Sequence, residues 1–397
     1  MLLGGCLNIL NEMNALSSGI RALSRITKGK EFLLLCLIYL IISTGSNLYG
    51  MSAETLPFYP ILMPIFLKSG IDGILGFASL YIGIFTGNMF STVNAFSVVV
   101  ASYSSGINFL DGIYFRIICL LIINIITILY FYYYYRKIRL DEKNSIVYDI
   151  KHKLEDKYLK DENDKKDNEK DNNVKIEEMT NKLEKEKFTL KQKIVLLILL
   201  GSIIGLVLGV ILFNLWFEHM GAIFLMIGII LMFLLGKKER EAVKIFMQGV
   251  SDFAEFSVLA GISRGINITL DKGQISDTIL YGLTNITVGL PKIIFAILML
   301  IIFIFLGILI SGWTSLAILA MPVIAPLADE VNCSRALVVN AYMFGQSYIE
   351  LISPTSIILI FLELVGIQYN YWIKFIYPYM IILLILLIVF IIINTTF

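Results

Sequence analysis

The chain has 397 residues, 57% of them hydrophobic and 16% charged, with a mean hydropathy of +0.81. That composition lies outside the range of an ordinary soluble domain and points to a membrane protein. A formal net charge of +1 singles out no charged partner, and no nucleic acid is expected. With only two histidines, His152 and His219, and four scattered cysteines, a metal or catalytic cluster has no support, and no cofactor is expected.

Uncharged runs cover Phe32–Ala53, Gly73–Leu110, Ile117–Tyr135, Ile194–Phe217, Met220–Gly236, Ile293–Ala328 and Phe375–Phe397. About 20 apolar residues cross the hydrocarbon as a helix, so several runs can span once and the longest are over-long for one span. The alternating ten-residue segments of a membrane β-barrel are missing. The expected class is an all-α polytopic membrane protein.

In chain order, LGGC at Leu3–Cys6 lies too near Met1 for a lipoprotein signal and reads as membrane helix. Phe32–Leu67 holds two apolar arms around STGSNLYGMSAET, read as a re-entrant hairpin, with two short interfacial helices as the alternative. Thr44, Ser46 and Asn47 in that tip are candidate ligands, and Glu54 is an intramembrane acid, a binding-site hypothesis by default. Gly73–Leu110 is too long for one crossing, at about 57 Å as a single helix. Asn88, Ser91, Thr92 and Asn94 sit at its middle, so an unwound break is expected around Ser91–Asn94. Tyr132–Tyr135 followed by RKIR reads as an interfacial belt.

From 136 to 193 the chain turns to lysine, glutamate, aspartate and asparagine, a solvated and partly disordered linker with some helix in its last third. It divides a first membrane part, 1–135, from a second, 194–397. Arg264 in the second part has an interfacial or charge-balancing reading. Ile293–Ala328 is a second hairpin around ISGWTS, with Ser311, Trp313 and Thr314 at its tip. Ala336–Leu364 then carries Gln346, Glu350, Ser353, Pro354 and Thr355. Pro354 cannot donate in a helix interior and disfavours helical backbone before it, so it marks a second break. Glu350 either ligates a substrate or cation, pairs with another helix, or is neutral.

The two parts match at an offset of 258: Met63–Pro64 falls on Met321–Pro322, Gly87 on Gly345, and Arg116 on Lys374. Three matches in register favour an internal repeat. The second copy is preceded by further spans that the first lacks, so about 60 residues are expected to be missing at the N-terminus. Basic turns place the linker in the cytoplasm, and the count of crossings opposes the two copies in the membrane. Inverted repeats with discontinuous helices support alternating access, with binding near the midplane.

The stretches YGMSAETLPFYPILMP at 49–64, STVNAF at 91–96, DKGQISDTIL at 271–280, MPVIAPLAD at 321–329 and ISPTS at 352–356 resemble the YfcC-like branch of the C4-dicarboxylate anaerobic carrier family. The resemblance covers nearly the whole membrane part. It departs at Ala95, where relatives commonly have proline, and at GWTS over 312–315, where they show a glycine- and serine-rich tip. It implies a multi-pass carrier of the cell (inner) membrane, for dicarboxylates or for basic amino acids in exchange, with Na⁺ or H⁺ coupling and a homodimer both open. Two acids and few basic residues near the centre favour an amino acid, and among amino acids a cationic one. Runners-up are a C4-dicarboxylate transporter and, in another class, a non-transporting membrane scaffold or fragment.

Overall fold

The computed structural model describes residues 2–13, 15, 18, 30–52, 55–56, 58–159, 189–198, 201, 205, 217–252, 273, 290–310 and 312–396. All regular elements among them are helical. In chain order they are α1 (Leu2–Glu12), α2 (Glu31–Tyr49), α3 (Phe58–Lys68), α4 (Gly73–Met89), α5 (Val98–Ser104), α6 (Ile113–Leu140), α7 (Lys151–Leu159), α8 (Phe217–Leu235), α9 (Glu239–Asp252), α10 (Lys292–Leu309), α11 (Trp313–Ile324), α12 (Leu327–Glu330), α13 (Arg335–Glu350), α14 (Ile358–Val365) and α15 (Tyr369–Asn394). Glu54, Ser311, Arg264, most of DKGQISDTIL and linker residues 160–188 lie outside the described residues.

Four of these helices are long and apolar enough to cross a membrane: α2, α6, α10 and α15. The side chains on α6 show why. Cys119, Ile123, Thr127 and Phe131 recur every four residues on its buried face, whereas Ile118, Leu121, Ile125 and Leu129 on the other face are exposed yet apolar. A water-facing helix would carry charge there, so the stripe suits lipid. The chain is an integral membrane protein.

The chain divides into two compact units, 1–26 with 178–265 and 27–177 with 266–397, each drawing on both sides of the charged segment. In the first, α1 packs against α8 and α9. Small residues permit this close approach: a Cβ added to Gly249 would lie 2.3 Å from the Gly4 carbonyl oxygen, and one added to Gly5 would meet the Phe246 ring. The Cys6 thiol donates to the Phe224 carbonyl, and Asn8 Nδ2 donates to the Ile245 carbonyl.

Within the second unit the helix lengths recur. The series α2, α3, α4, α5, α6 has 19, 11, 17, 7 and 28 residues, and α10, α11, α13, α14, α15 has 18, 12, 16, 8 and 26. Pro64 lies inside α3 and Pro322 inside α11. α4 packs on α2 as α13 packs on α10, while α11 touches α5 and α3 touches α14 across the series. Gly87 and Gly345 explain the first two contacts. A Cβ at Gly87 would lie 2.2 Å from the Ser43 carbonyl oxygen, and one at Gly345 would lie 2.8 Å from the Ile304 nitrogen.

The expected hairpins lack arms that pack on one another: neither α2 with α3 nor α10 with α11 is among the packed helix pairs, and of each two only the first, α2 or α10, reaches spanning length. The second arms, α3 and α11, have 11 and 12 residues, about 17–18 Å.

The charged segment begins with folded structure. Residues 141–159 form two short 3-10 turns and α7, which lie on the ends of two helices that carry the breaks. Asp72 caps α4 through the Leu75 amide and also accepts from Ser145 Oγ at 2.7 Å and Tyr134 Oη at 2.9 Å. Leu154 is buried near Gly73 and Ile367. Lys157 Nζ donates to the Leu364 carbonyl at 2.8 Å, and Tyr158 Oη reaches the Leu364 and Val365 carbonyls, so both serve the C-terminal end of α14. Burial first, and the neighbouring Lys153 second, lower the Lys157 amine from the usual lysine range.

Candidate functional site

Both expected helix breaks are present. Regular helix stops at Met89 and resumes at Val98, and it stops at Glu350 and resumes at Ile358. Each break frees backbone groups that cannot be left bare in an apolar interior.

At the first break, side chains of α2 and the break itself satisfy them. Asn47 Nδ2 donates to the Phe90 carbonyl at 2.7 Å and, at 3.4 Å, to that of Gly87. Thr92 Oγ1 donates to Asn47 Oδ1 at 2.7 Å, and Ser91 Oγ to the Asn47 carbonyl. Asn94 Nδ2 donates to Asn88 Oδ1 at 2.6 Å and to the Ser46 carbonyl, while Asn94 Oδ1 accepts from the Phe96 amide. Asn88 Nδ2 returns to the Ile84 carbonyl, and Ser46 Oγ bonds the Met51 carbonyl. Six of the sequence-derived candidates, Ser46, Asn47, Asn88, Ser91, Thr92 and Asn94, therefore meet in one buried network. Gly50 closes α2 beside it with φ +82°, and a Cβ there would lie 2.8 Å from Asn94 Oδ1.

At the second break, three aromatic donors outside the break cover consecutive carbonyls. Tyr81 Oη reaches that of Glu350 at 3.2 Å, Trp372 Nε1 that of Leu351 at 2.9 Å, and Tyr369 Oη that of Ile352. These carbonyls are thus already satisfied by protein donors.

What distinguishes this break is the Glu350 carboxyl group, buried at 5% exposure. Its Oε1 accepts from the Gly312 amide at 3.1 Å and from Gln346 Nε2 at 2.6 Å. No lysine, arginine or histidine among the described residues pairs with it. The other buried charged side chain among them, Arg116, bonds the Asp111 and Phe109 carbonyls and Asn340 Oδ1 instead.

The turn between α10 and α11 joins the two breaks. Trp313 stacks edge-on to Phe85 of α4 with centroids 5.8 Å apart, and Thr314 Oγ1 donates to the Phe96 carbonyl at 2.8 Å. Tyr342 Oη donates to the Trp313 carbonyl. Gln346 Oε1, Ser347 Oγ and Trp313 Nε1 are buried without a hydrogen-bond partner.

Several candidates fall away from this cluster. Thr44 is exposed on α2, because the buried positions Ser43, Ser46 and Asn47 occupy another arc of the helix. Ser353 Oγ bonds Thr355 Oγ1 at 2.7 Å, but Pro354 and Thr355 are exposed, so the proline shapes the break without lining its buried side. Tyr81, Tyr342, Tyr369 and Trp372 have no place in the sequence reading. Inside an apolar helix an aromatic residue carries no mark that separates a hydrogen-bond donor from ordinary packing.

Comparison with known proteins accords with this architecture. The family model for the C4-dicarboxylate anaerobic carrier matches residues 1–396. An uncharacterized protein of Haemophilus influenzae is 34% identical over 376 residues, covering 95% of this chain and 70% of that protein. Escherichia coli K12 YfcC, provisionally named a basic amino acid antiporter, is 27% identical over 388 residues, covering 94% of this chain and 72% of its own length. The crystal structure of the Alcanivorax borkumensis YdaH transporter, described as having an unusual topology, aligns with a TM-score of 0.65 at 15% identity, over 98% of this chain and 83% of that one.

Proposed function

The chain belongs to the C4-dicarboxylate anaerobic carrier family, a transporter and not an enzyme, and from that premise we propose a secondary active carrier of amino acids with a preference for a cationic one. The observation that carries this reading is Glu350: a buried carboxylate at a helix break with two hydrogen-bond donors and no basic partner among the described residues. Such a group gains most from a cationic ligand, since an unpaired buried charge costs several kcal/mol while a desolvated ion pair relieves it. A dianion would meet repulsion there instead. The provisional name of the 27% identical relative points the same way.

In this reading the carrier alternates access by moving paired, oppositely oriented helix series around the two breaks, with the solute held at the second. The basic residues Arg136, Lys137 and Arg139 at the end of α6 favour a cytoplasmic side for the charged segment, which suits a carrier of the cell's inner membrane.

The family's own description favours a second reading, a C4-dicarboxylate as cargo. Proteoliposome uptake of labelled arginine, ornithine, aspartate and succinate, with and without imposed Na⁺ and H⁺ gradients, separates the two. Arginine or ornithine counterflow is the expected result. Succinate uptake without arginine transport overturns the amino-acid reading.

A further inference from the structure

Three side chains on one face of α13, spaced four residues apart, reach the turn between α10 and α11. Tyr342 Oη donates to the Trp313 carbonyl, Gln346 Nε2 lies 3.4 Å from the Ile310 carbonyl oxygen, and Glu350 Oε1 accepts from the Gly312 amide. Residues four apart on a helix lie above one another, so this row follows directly from the sequence spacing. Gln346 is the middle member, and its amide nitrogen has a second, shorter bond of 2.6 Å to Glu350 Oε1. With Glu350 ionised, as the proposed function has it, both neighbours only accept, and the amide nitrogen faces both.

Both donors to Glu350 converge on one oxygen, Oε1. Among the described residues no donor bonds Oε2. Gly307 makes this arrangement possible: a Cβ there would lie 2.5 Å from Gln346 Oε1 and 2.6 Å from Ile349 Cγ2. A glycine in the middle of α10 is otherwise unfavourable, and this close approach of the amide gives it a reason.

We propose that Gln346 is a positioning residue: it locks one carboxylate oxygen of Glu350 against the turn between α10 and α11 and so presents the other to the positively charged group of the cargo. This rests on the reading of Glu350 as the cation-binding group. Gln346 then sets discrimination between charged and neutral side chains of similar shape without binding the cargo itself. A carboxylate free to rotate would divide its time among orientations, and the loss would fall on affinity more than on the rate of transport once loaded.

The test uses full-length protein in proteoliposomes with L-arginine and its neutral isostere L-citrulline. Gln346→Met keeps the side-chain length and removes the donor. Gly307→Ala displaces the amide while leaving both polar side chains in place. Each is expected to raise KM for arginine about tenfold, the scale of one hydrogen bond to a charged group, with Vmax within about twofold and citrulline unaffected. Tyr342→Phe, which removes only the bond to the Trp313 carbonyl, should leave the arginine-to-citrulline ratio unchanged. Should Gln346→Met fail to fold, Gly307→Ala carries the test.

An unchanged ratio in both Gln346→Met and Gly307→Ala, alongside loss of arginine transport in Glu350→Gln, overturns the positioning role and leaves the function standing. If Glu350→Gln also transports arginine normally, or the unaltered protein does not transport it, the cation-binding reading itself fails.

Discussion

The two helix breaks solve the same physical problem by different means. At the first, asparagine, serine and threonine side chains bond one another and the freed backbone, and the cluster is neutral. At the second, aromatic donors from α4 and α15 take the freed carbonyls, and a buried carboxyl group remains that no basic side chain among the described residues pairs with. A broken helix inside a membrane protein is therefore not by itself a binding site. The polar groups of the first break bond one another, whereas the second keeps a buried carboxyl group that, in the function proposed, a cationic ligand can use.

Changes that separate shape from charge should separate the breaks. The largest effect is expected from Gly87→Ala, whose new Cβ would lie 2.2 Å from a main-chain oxygen of α2, an atom with no rotamer in which to retreat. Overpacking of that kind should cost about 3 kcal/mol or more and sharply lower the yield of folded protein in detergent. Gly345→Ala, with its nearest contacts at 2.8 Å, should be milder. Equal behaviour of the two would erase the distinction in packing.

Glu350→Gln comes next. The amide still accepts from Gly312, so the melting temperature should stay close to that of the unaltered chain, while arginine affinity falls about 100-fold, equivalent to about 2.7 kcal/mol. Asn94→Ala should do the reverse. It leaves the Phe96 amide and Asn88 Oδ1 without their partners, for a loss of about 2 kcal/mol in thermal unfolding, with affinity in the surviving folded fraction little changed. A large affinity loss at constant stability in Asn94→Ala would move the cargo to the first break. Thr44→Val, at an exposed position outside both networks, should alter stability by less than about 0.5 kcal/mol and leave uptake untouched.

Much of this architecture is legible in the sequence because the membrane imposes it. Uncharged runs set the helices, Pro354 and the polar residues within GNMFSTVN mark where helix must stop, and the offset of 258 pairs the elements. Glu350 declares itself as an acid in apolar surroundings. The partners are less legible. Thr44 lies within a run of small polar residues with Ser43, Ser46 and Asn47, and only the rotation of α2 decides which of them turn inward. Composition also hides the folded start of the charged segment, since Val147, Leu154 and Tyr158 are few among many charges. The places of Leu154 and Tyr158 depend on what they meet, the start of α4 and the end of α14.

That docked segment bears on how the protein can be altered. A hydrophilic connector is ordinarily the first place to insert a reporter or trim a chain, yet here Ser145, Leu154, Lys157 and Tyr158 fasten two helix ends, the start of α4 and the end of α14. Cutting or replacing residues 141–159 would release both ends together, so this stretch acts as a buckle whose sequence is constrained by where it lands.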